Sequence, residues 1–472
     1  MLVILKPTHY SGVKQRLRHI RIGVEDRSIW NRFRRNVSIT LLGSGVSLAI
    51  KLGQTALLTR LLKIDDYGRV LIVLNLFVFL DSFFGLRVSD VMFRFFQQLK
   101  EQEDARALKG LLILCFGISL ASGLLIYGGV LILSPWLAVR IYPNLGLSPL
   151  FNIYGCTVLV STFSGVYEPI LRIYDRFTAI VVPNVLGSLV TLTLLCAYFA
   201  TNFATGNGGY NLKAIVVAFA IGVLVQTIPP LVKALRLVGP YLSGVRTKQA
   251  VQALAAHRCE LVRCLLNSNL SGYLKFAINP GDLFFLGLFS SPTQVALYGL
   301  AKQLTAPLAL LQTNLQTAIT PEITSLVTKA RFEQLKRLIS RYVVSAFVLS
   351  SLLLISALLL GRLLFLRFFQ PEYLAALPVF YVLVVVAWLL LIFLVFRPLA
   401  VSLDMLKWYN LALLVSAAIV FYFIIAGDLN AMTIAYVQLF DALILRSLFN
   451  LLVWLRLRRL VVDSSERSFV QN

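Results

Sequence analysis

The residues best placed to do chemistry are ionisable side chains inside long apolar runs. Lys51 follows Ser44 and Ser47 and precedes Gln54 on a segment that also carries Gly43, Gly45 and Gly53. Lys275 and Asp282 bracket Asn279-Pro280-Gly281, and Lys302 and Gln303 stand about two turns into the next apolar run. Arg87 and Asp90 close an earlier run in which Asp81 lies deeper, and Asp441 and Arg446 lie in the last one. A charge at the centre of a hydrocarbon layer costs roughly 3 kcal/mol or more, so such residues turn toward a cavity, a partner or the interface. With cations in excess, a shared polar cavity would suit an anion such as a phosphate or an acidic sugar. Two pairs have a plainer reading: Arg87 and Asp90 as interfacial charges with the arginine snorkelling, and Asp441 with Arg446 as a structural ion pair.

Other chemistry is poorly represented. His9, His19 and His257 have no metal-ligand spacing, and neither a phosphate-binding glycine loop nor a Gly-x-Ser-x-Gly elbow occurs. Segments outside the apolar runs are too short for a catalytic domain. Pro280 removes a backbone donor and Gly281 tolerates the geometry that follows, so the run around them is expected to break, either as a moving gate or as a packing feature. Similar breaks are expected at Pro183, Pro307 and Pro321.

The elements that must position these residues follow from composition. Of 472 residues, 58% are hydrophobic and 14% charged, too apolar for a soluble chain to cover with polar surface. Helix-length apolar runs fall near 37–58, 69–90, 108–134, 150–171, 179–200, 212–235, 262–289, 294–320, 340–366, 378–399, 408–426 and 430–455, which makes twelve spans. The net charge of +23 comes from basic residues concentrated between the runs, which argues for topology signals rather than nucleic-acid binding. With the N-terminus inside, inside segments and their flanks carry 32 Lys plus Arg and outside ones carry 7, so both termini are expected in the cytoplasm of a multi-pass inner-membrane protein. The residues before the first run do not have the pattern of a signal peptide, so none is expected there. The five cysteines are not spaced as a disulfide framework.

The expected fold is all-α: a basic tail over 1–36, a six-helix bundle over 37–235, a cytoplasmic amphipathic connection over 236–261, a second six-helix bundle over 262–455 and a basic tail over 456–472. The connection sets Val251, Leu254, Ala255 and Leu261 among basic residues, a pattern suited to the membrane surface or to a plain linker. A faint repeat supports the division, because Tyr67-Gly68 and Tyr298-Gly299 each open a returning helix. Six-span repeats keep one orientation, so their pseudo-two-fold axis would follow the membrane normal.

The residues also carry a family pattern. Leu58-Thr59-Arg60-Leu61-Leu62, Asp66-Tyr67-Gly68 and Phe83-Phe84-Gly85-Leu86 in the first half, with Gly272-Tyr273, Asp282-Leu283-Phe284-Phe285-Leu286-Gly287, Val295 to Ala301 and Ala318 to Ile323 in the second, form that pattern. It resembles the polysaccharide-transport family of lipid-linked oligosaccharide flippases, in the superfamily that includes multidrug extruders and peptidoglycan-precursor flippases. The resemblance covers roughly residues 34–455. It implies two bundles around a cavity that opens alternately to each side, and export of a polyprenyl-pyrophosphate sugar unit without covalent change. On this chain it marks Lys51, Arg87, Lys275 and Lys302 as phosphate clamps and Gln54, Asn279 and Gln303 as sugar hydrogen-bonding groups. Asp282 and Asp441 are the candidate coupling sites for H+ or Na+, with Pro280 and Gly281 at a gate. No other cofactor and no metal is expected. The implied partners are the lipid-linked oligosaccharide, membrane lipids and other polysaccharide assembly proteins, with the chain acting as a monomer. A cation-coupled drug or metabolite extruder on the same fold would want an acidic cavity instead. A polysaccharide polymerase or ligase would want a large outward loop, and an assembly scaffold would leave the buried charges unused.

Overall fold

The computed structural model describes residues 38–140, 146–205, 210–243, 247–255, 258–276, 281–329, 331–403 and 429–470, with isolated positions at 35, 405 and between 411 and 422. The basic tail over 1–36 and the run expected near 408–426 therefore lie largely outside the described residues, as do Asn279 and Pro280. All regular structure among the described residues is helical.

Six long helices fill the first half: α1 (Ser38–Leu61), α2 (Ile64–Phe84), α3 (Ala105–Arg140), α4 (Ser148–Ile173), α5 (Thr178–Thr205) and α6 (Leu212–Ser243). A short α7 (Thr247–Ala255) leads to α8 (Arg258–Phe276) and α9 (Gly281–Phe289). The chain continues through α10 (Pro292–Thr328), α11 (Phe332–Phe368), α12 (Leu377–Ile392), α13 (Ala431–Phe440) and α14 (Arg446–Val470). Nine helical stretches among the described residues are long and apolar enough to cross a membrane. The seventh expected run falls on α8 and α9, with residues 277–280 between them outside the described residues. The eighth, α10, has the length, but its polar face (Lys302, Gln303, Gln312 and Gln316) lowers its hydropathy. A span that lines a wet cavity need not be apolar all round.

Several expected boundaries move. The second span runs 64–84, because Gly85 caps α2 and Leu86 takes φ +27°, which turns the chain out of the helix. Arg87 therefore precedes a separate short helix, Val88–Val91. Neither Pro307 nor Pro321 breaks α10, and Pro183 lies within α5. In a membrane bundle, neighbouring helices and Ser or Thr side chains accommodate the backbone group that a proline frees.

Small residues set the close helix contacts, as expected where lipid supplies no hydrophobic force between helices. A Cβ on Gly187 would meet the Gly222 carbonyl oxygen at 2.5 Å, so α5 and α6 touch backbone to backbone there. Gly68 of α2 lies against the Pro292 backbone, where a Cβ would come within 2.0 Å of the carbonyl oxygen. Gly299 of α10 faces Leu71 in return, and the neighbouring Tyr67 and Tyr298 are both buried. The two Tyr-Gly pairs thus meet on one helix contact between the halves. The connecting α7 turns Ala250 and Leu254 onto α3 at Gly110, while Val251 is exposed. Of the apolar set read from the sequence, Leu254 and Leu261 are buried, whereas Val251 and Ala255 are exposed and Ala250 packs on α3 instead.

Candidate functional site

On α1, Ser47, Lys51, Gln54 and Leu58 recur at three- and four-residue intervals and share one face. Ser188 of α5 holds that face at two points. Its hydroxyl lies 3.0 Å from that of Ser47, and its carbonyl accepts from Gln54 Nε2 at 2.6 Å. Gln54 is buried, with its amide nitrogen committed to this helix contact. Lys51, between the two, is open to the cavity and makes no ion pair among the described residues.

The cavity occupies about 680 Å³ between α1, α2, α5 and α6 on one side and α10, α12 and α13 on the other. Lys51, Gln54, Lys302 and Gln303 all line it, brought together from the two halves of the chain. Asn75, Ser188, Thr191, Gln226, Gln312 and Gln438 add neutral polar groups, and no Asp or Glu is among its described lining residues. A second cavity of about 520 Å³ shares Lys51, Gln226, Ala306 and Ala309 with the first. It follows α1 back to Gly43 and α10 onward to Thr313. Since these helices run antiparallel, both limits lie away from the Arg60 and Pro292 end.

That other end is tied together across the halves. Arg60 donates to the Arg367 carbonyl at 2.9 Å, and Gln370 donates back to the Arg60 carbonyl at 2.7 Å. Thr293 donates to Asp65, and Tyr67 meets Tyr373 edge-on at 6.1 Å between ring centroids.

Lys302 is held differently from Lys51. Its ammonium bonds both oxygens of Asp282, at 2.6 and 2.8 Å, and Asp282 is 4% exposed. Asp282 stands in the first turn of α9 and accepts from the Leu283 N–H at 2.8 Å, where a helix N-terminus favours negative charge. Tyr298 donates to it at 2.6 Å and Gln438 at 2.8 Å. A buried carboxylate and ammonium each lose several kcal/mol of hydration, roughly, and such a pair persists only when further donors fill the remaining lone pairs. Tyr298 and Gln438 supply them.

The remaining sequence candidates separate. Arg87 does not line the cavity: its Nε pairs with Asp90 at 3.2 Å, and its backbone N–H donates to Asn269 of α8 at 3.1 Å. Asp441 is buried and pairs with Arg446 at 2.6 Å. The pair lines a side chamber of about 100 Å³ that shares Gln312 with the main cavity. A coupling ion at Asp282 or Asp441 would have to compete with Lys302 or Arg446. Gly281 is buried as the first residue of α9. Lys275 belongs to α8, but its side chain, like Asn279 and Pro280, lies outside the described residues. Sequence reasoning missed Tyr298 and Gln438 as partners of Asp282, and Ser188 as the group that orients α1. An amide inside an apolar run, three residues before Asp441, was the available signal for Gln438.

Comparison with known proteins agrees with this geometry. No curated protein matches the chain significantly. An inward-facing MATE multidrug resistance transporter of the MOP superfamily superposes with a TM-score of 0.68 at 14% identity, over 89% of this chain and 96% of its own. The lipid II flippase MurJ, in an inward closed conformation, gives 0.64 at 12% identity, over 91% of each chain. A MOP-superfamily transporter from Pyrococcus furiosus, described as having a binding pocket of reversed polarity, gives 0.56 at 14% identity, over 90% of this chain and 96% of its own. These likenesses establish the fold, a multi-pass membrane architecture shared with those transporters. The model of one family, described as polysaccharide biosynthesis protein, matches residues 57–378, from the end of α1 into α12 and so across both walls of the cavity. The chain belongs to that polysaccharide biosynthesis family.

Proposed function

We propose that this protein flips a lipid-linked oligosaccharide, a polyprenyl-pyrophosphate sugar unit, from the inner to the outer leaflet of the cytoplasmic membrane by alternating access. The observation that carries the reading is a cavity between the halves that is lined by two lysines and by no acidic residue among those described. An unassisted sugar-phosphate headgroup would lose its hydration in hydrocarbon, at a cost of many kcal/mol, so fixed polar groups must replace water. Ligand cavities commonly span about 300–1,000 Å³. A volume of about 680 Å³ suits a headgroup and leaves the polyprenyl tail in lipid. The adjoining cavity along Gly43 to Lys51 lengthens the path away from the closed Arg60 end. The lipid II flippase and the multidrug transporters share this architecture, and the basic lining favours the former kind of cargo over organic cations.

In this reading Lys51 meets the phosphates and Gln303 meets sugar hydroxyls. Lys275 stays a candidate clamp, Asp282 and Asp441 stay candidate H+ or Na+ sites, and both termini face the cytoplasm. The test is reconstitution with a fluorescent polyprenyl-pyrophosphate oligosaccharide in one leaflet, following its appearance in the other. Lys51→Gln is expected to slow transfer about tenfold or more at matched protein level, since a charge-assisted contact is worth roughly 1.5–3 kcal/mol. Transfer of cationic dyes, and none of the pyrophosphate lipid, would replace this reading with drug export.

A further inference from the structure

The two lysines of the cavity are electrostatically unequal. Lys51 has no counter-ion among the described residues, whereas Lys302 is bonded through both oxygens of Asp282. Asp282 does not line the cavity; it lies behind Lys302, with Tyr298 and Gln438 closing the cluster. Seen from the cavity, Lys302 is a hydrogen-bond donor whose charge is cancelled a few ångströms away. From this geometry we infer that Asp282 is a charge-limiting residue. It leaves the cavity with one uncompensated positive charge, on Lys51, and thereby sets how tightly an anionic headgroup is held.

The inference rests on the flippase reading and deepens it. A pyrophosphate diester carries two negative charges. Two bare ammonium groups would hold it by Coulomb attraction on both sides, and a transporter must release what it binds. With Asp282 present, the headgroup has to share Lys302 with a carboxylate that already has it. When the headgroup leaves, Asp282 retakes the lysine, so neither charge is left unpaired in the empty cavity. The neutral donors Tyr298 and Gln438 keep Asp282 in place during the exchange.

The experiment uses the full-length protein in phosphatidylcholine nanodiscs and a short-chain isoprenyl-pyrophosphate N-acetylglucosamine as probe. Binding is measured by calorimetry, and transfer by the leaflet assay. Asp282→Asn is expected to tighten binding about tenfold, as one opposing charge a few ångströms behind the site is removed, and to slow transfer through delayed release. Binding by Asp282→Asn that is unchanged or weaker, with wild-type melting behaviour, overturns the inference alone. Absence of any binding by the wild-type protein overturns the flippase reading and the inference with it. Should Asp282→Asn fail to fold with an unpaired Lys302, the double variant D282N/K302Q keeps a neutral cluster. It is expected to retain measurable binding that Lys51→Gln loses. Loss in the double variant as complete as in Lys51→Gln would show that Lys302 acts as a full charge, and would overturn the inference.

Discussion

The two walls of the cavity place a lysine at the same opening by opposite means. On the first-half wall, neutral bonds hold the helix and leave the charge alone: Ser47 and Gln54 fasten α1 to Ser188, and Lys51 between them has no ionic partner among the described residues. On the second-half wall, an ion pair with Asp282 holds the side chain itself, and Tyr298 and Gln438 donate to that carboxylate in turn. The first arrangement positions a backbone and presents a reactive charge. The second positions a charge by cancelling it. A site built this way has one side that attracts and one side that orients.

The largest effect should come from making the first wall resemble the second. Ser47 lies one turn before Lys51 on the same face, so Ser47→Asp supplies a carboxylate at i, i+4. Ser188 can donate to that carboxylate where it now meets Ser47. With both lysines neutralised, lipid transfer should fall about tenfold or more, as a charge-assisted contact to the headgroup is lost. Transfer at the wild-type rate would show that Lys51 does not meet the headgroup as an uncompensated cation.

A smaller effect is expected from separating the walls. Gly68→Val puts a side chain where even a Cβ comes within 2.0 Å of the Pro292 carbonyl oxygen. Neither backbone can yield without α2 and α10 parting. The bonds that join Arg60 to Arg367 and Gln370 should loosen, and spin labels on the exposed loops at that end should report a longer distance. Unchanged distances would mean that the contact is not what keeps that end shut.

The same contact shows what the sequence makes legible. The Tyr67-Gly68 and Tyr298-Gly299 echo is a local pattern, and its physical content is a helix contact in which Gly68 lies against the Pro292 backbone and Gly299 against the tip of Leu71. Lys51 and Lys302 could be placed in a cavity because a lysine in an apolar run has few other destinations. Their different states could not, because Asp282 and Gln438 reach one point from segments 156 residues apart. In sequence, Asp282 sits closer to Lys275 than to Lys302. An apolar run continues through Arg87, so the sequence leaves it between the cavity and an interfacial pair with Asp90. One residue of positive φ, Leu86, ends the helix first and turns Arg87 toward Asp90 instead. Prolines 307 and 321 suggest breaks because the sequence shows the missing donor, yet α10 continues through both, as helices packed in a membrane bundle can.

The smallest expected effects sharpen the contrast between the walls by stability alone. Gln438→Leu removes a donor to a buried carboxylate and also its 2.8 Å bond to the Tyr298 hydroxyl. A hydrogen bond to a charged group contributes roughly 1.5–3 kcal/mol, so unfolding in detergent should be easier by about that amount. Ser188→Ala, on the other wall, removes only a hydroxyl. Gln54 bonds the Ser188 backbone carbonyl, which alanine retains, and what is lost is the 3.0 Å contact with Ser47 together with a bond back to Asn184. Side-chain hydrogen bonds between membrane helices average about 0.6 kcal/mol. Ser188→Ala should therefore lie near that value, and well below Gln438→Leu. Equal losses from the two substitutions would mean that the second wall is not organised by its buried charge, and that the two lysines differ less than their partners imply.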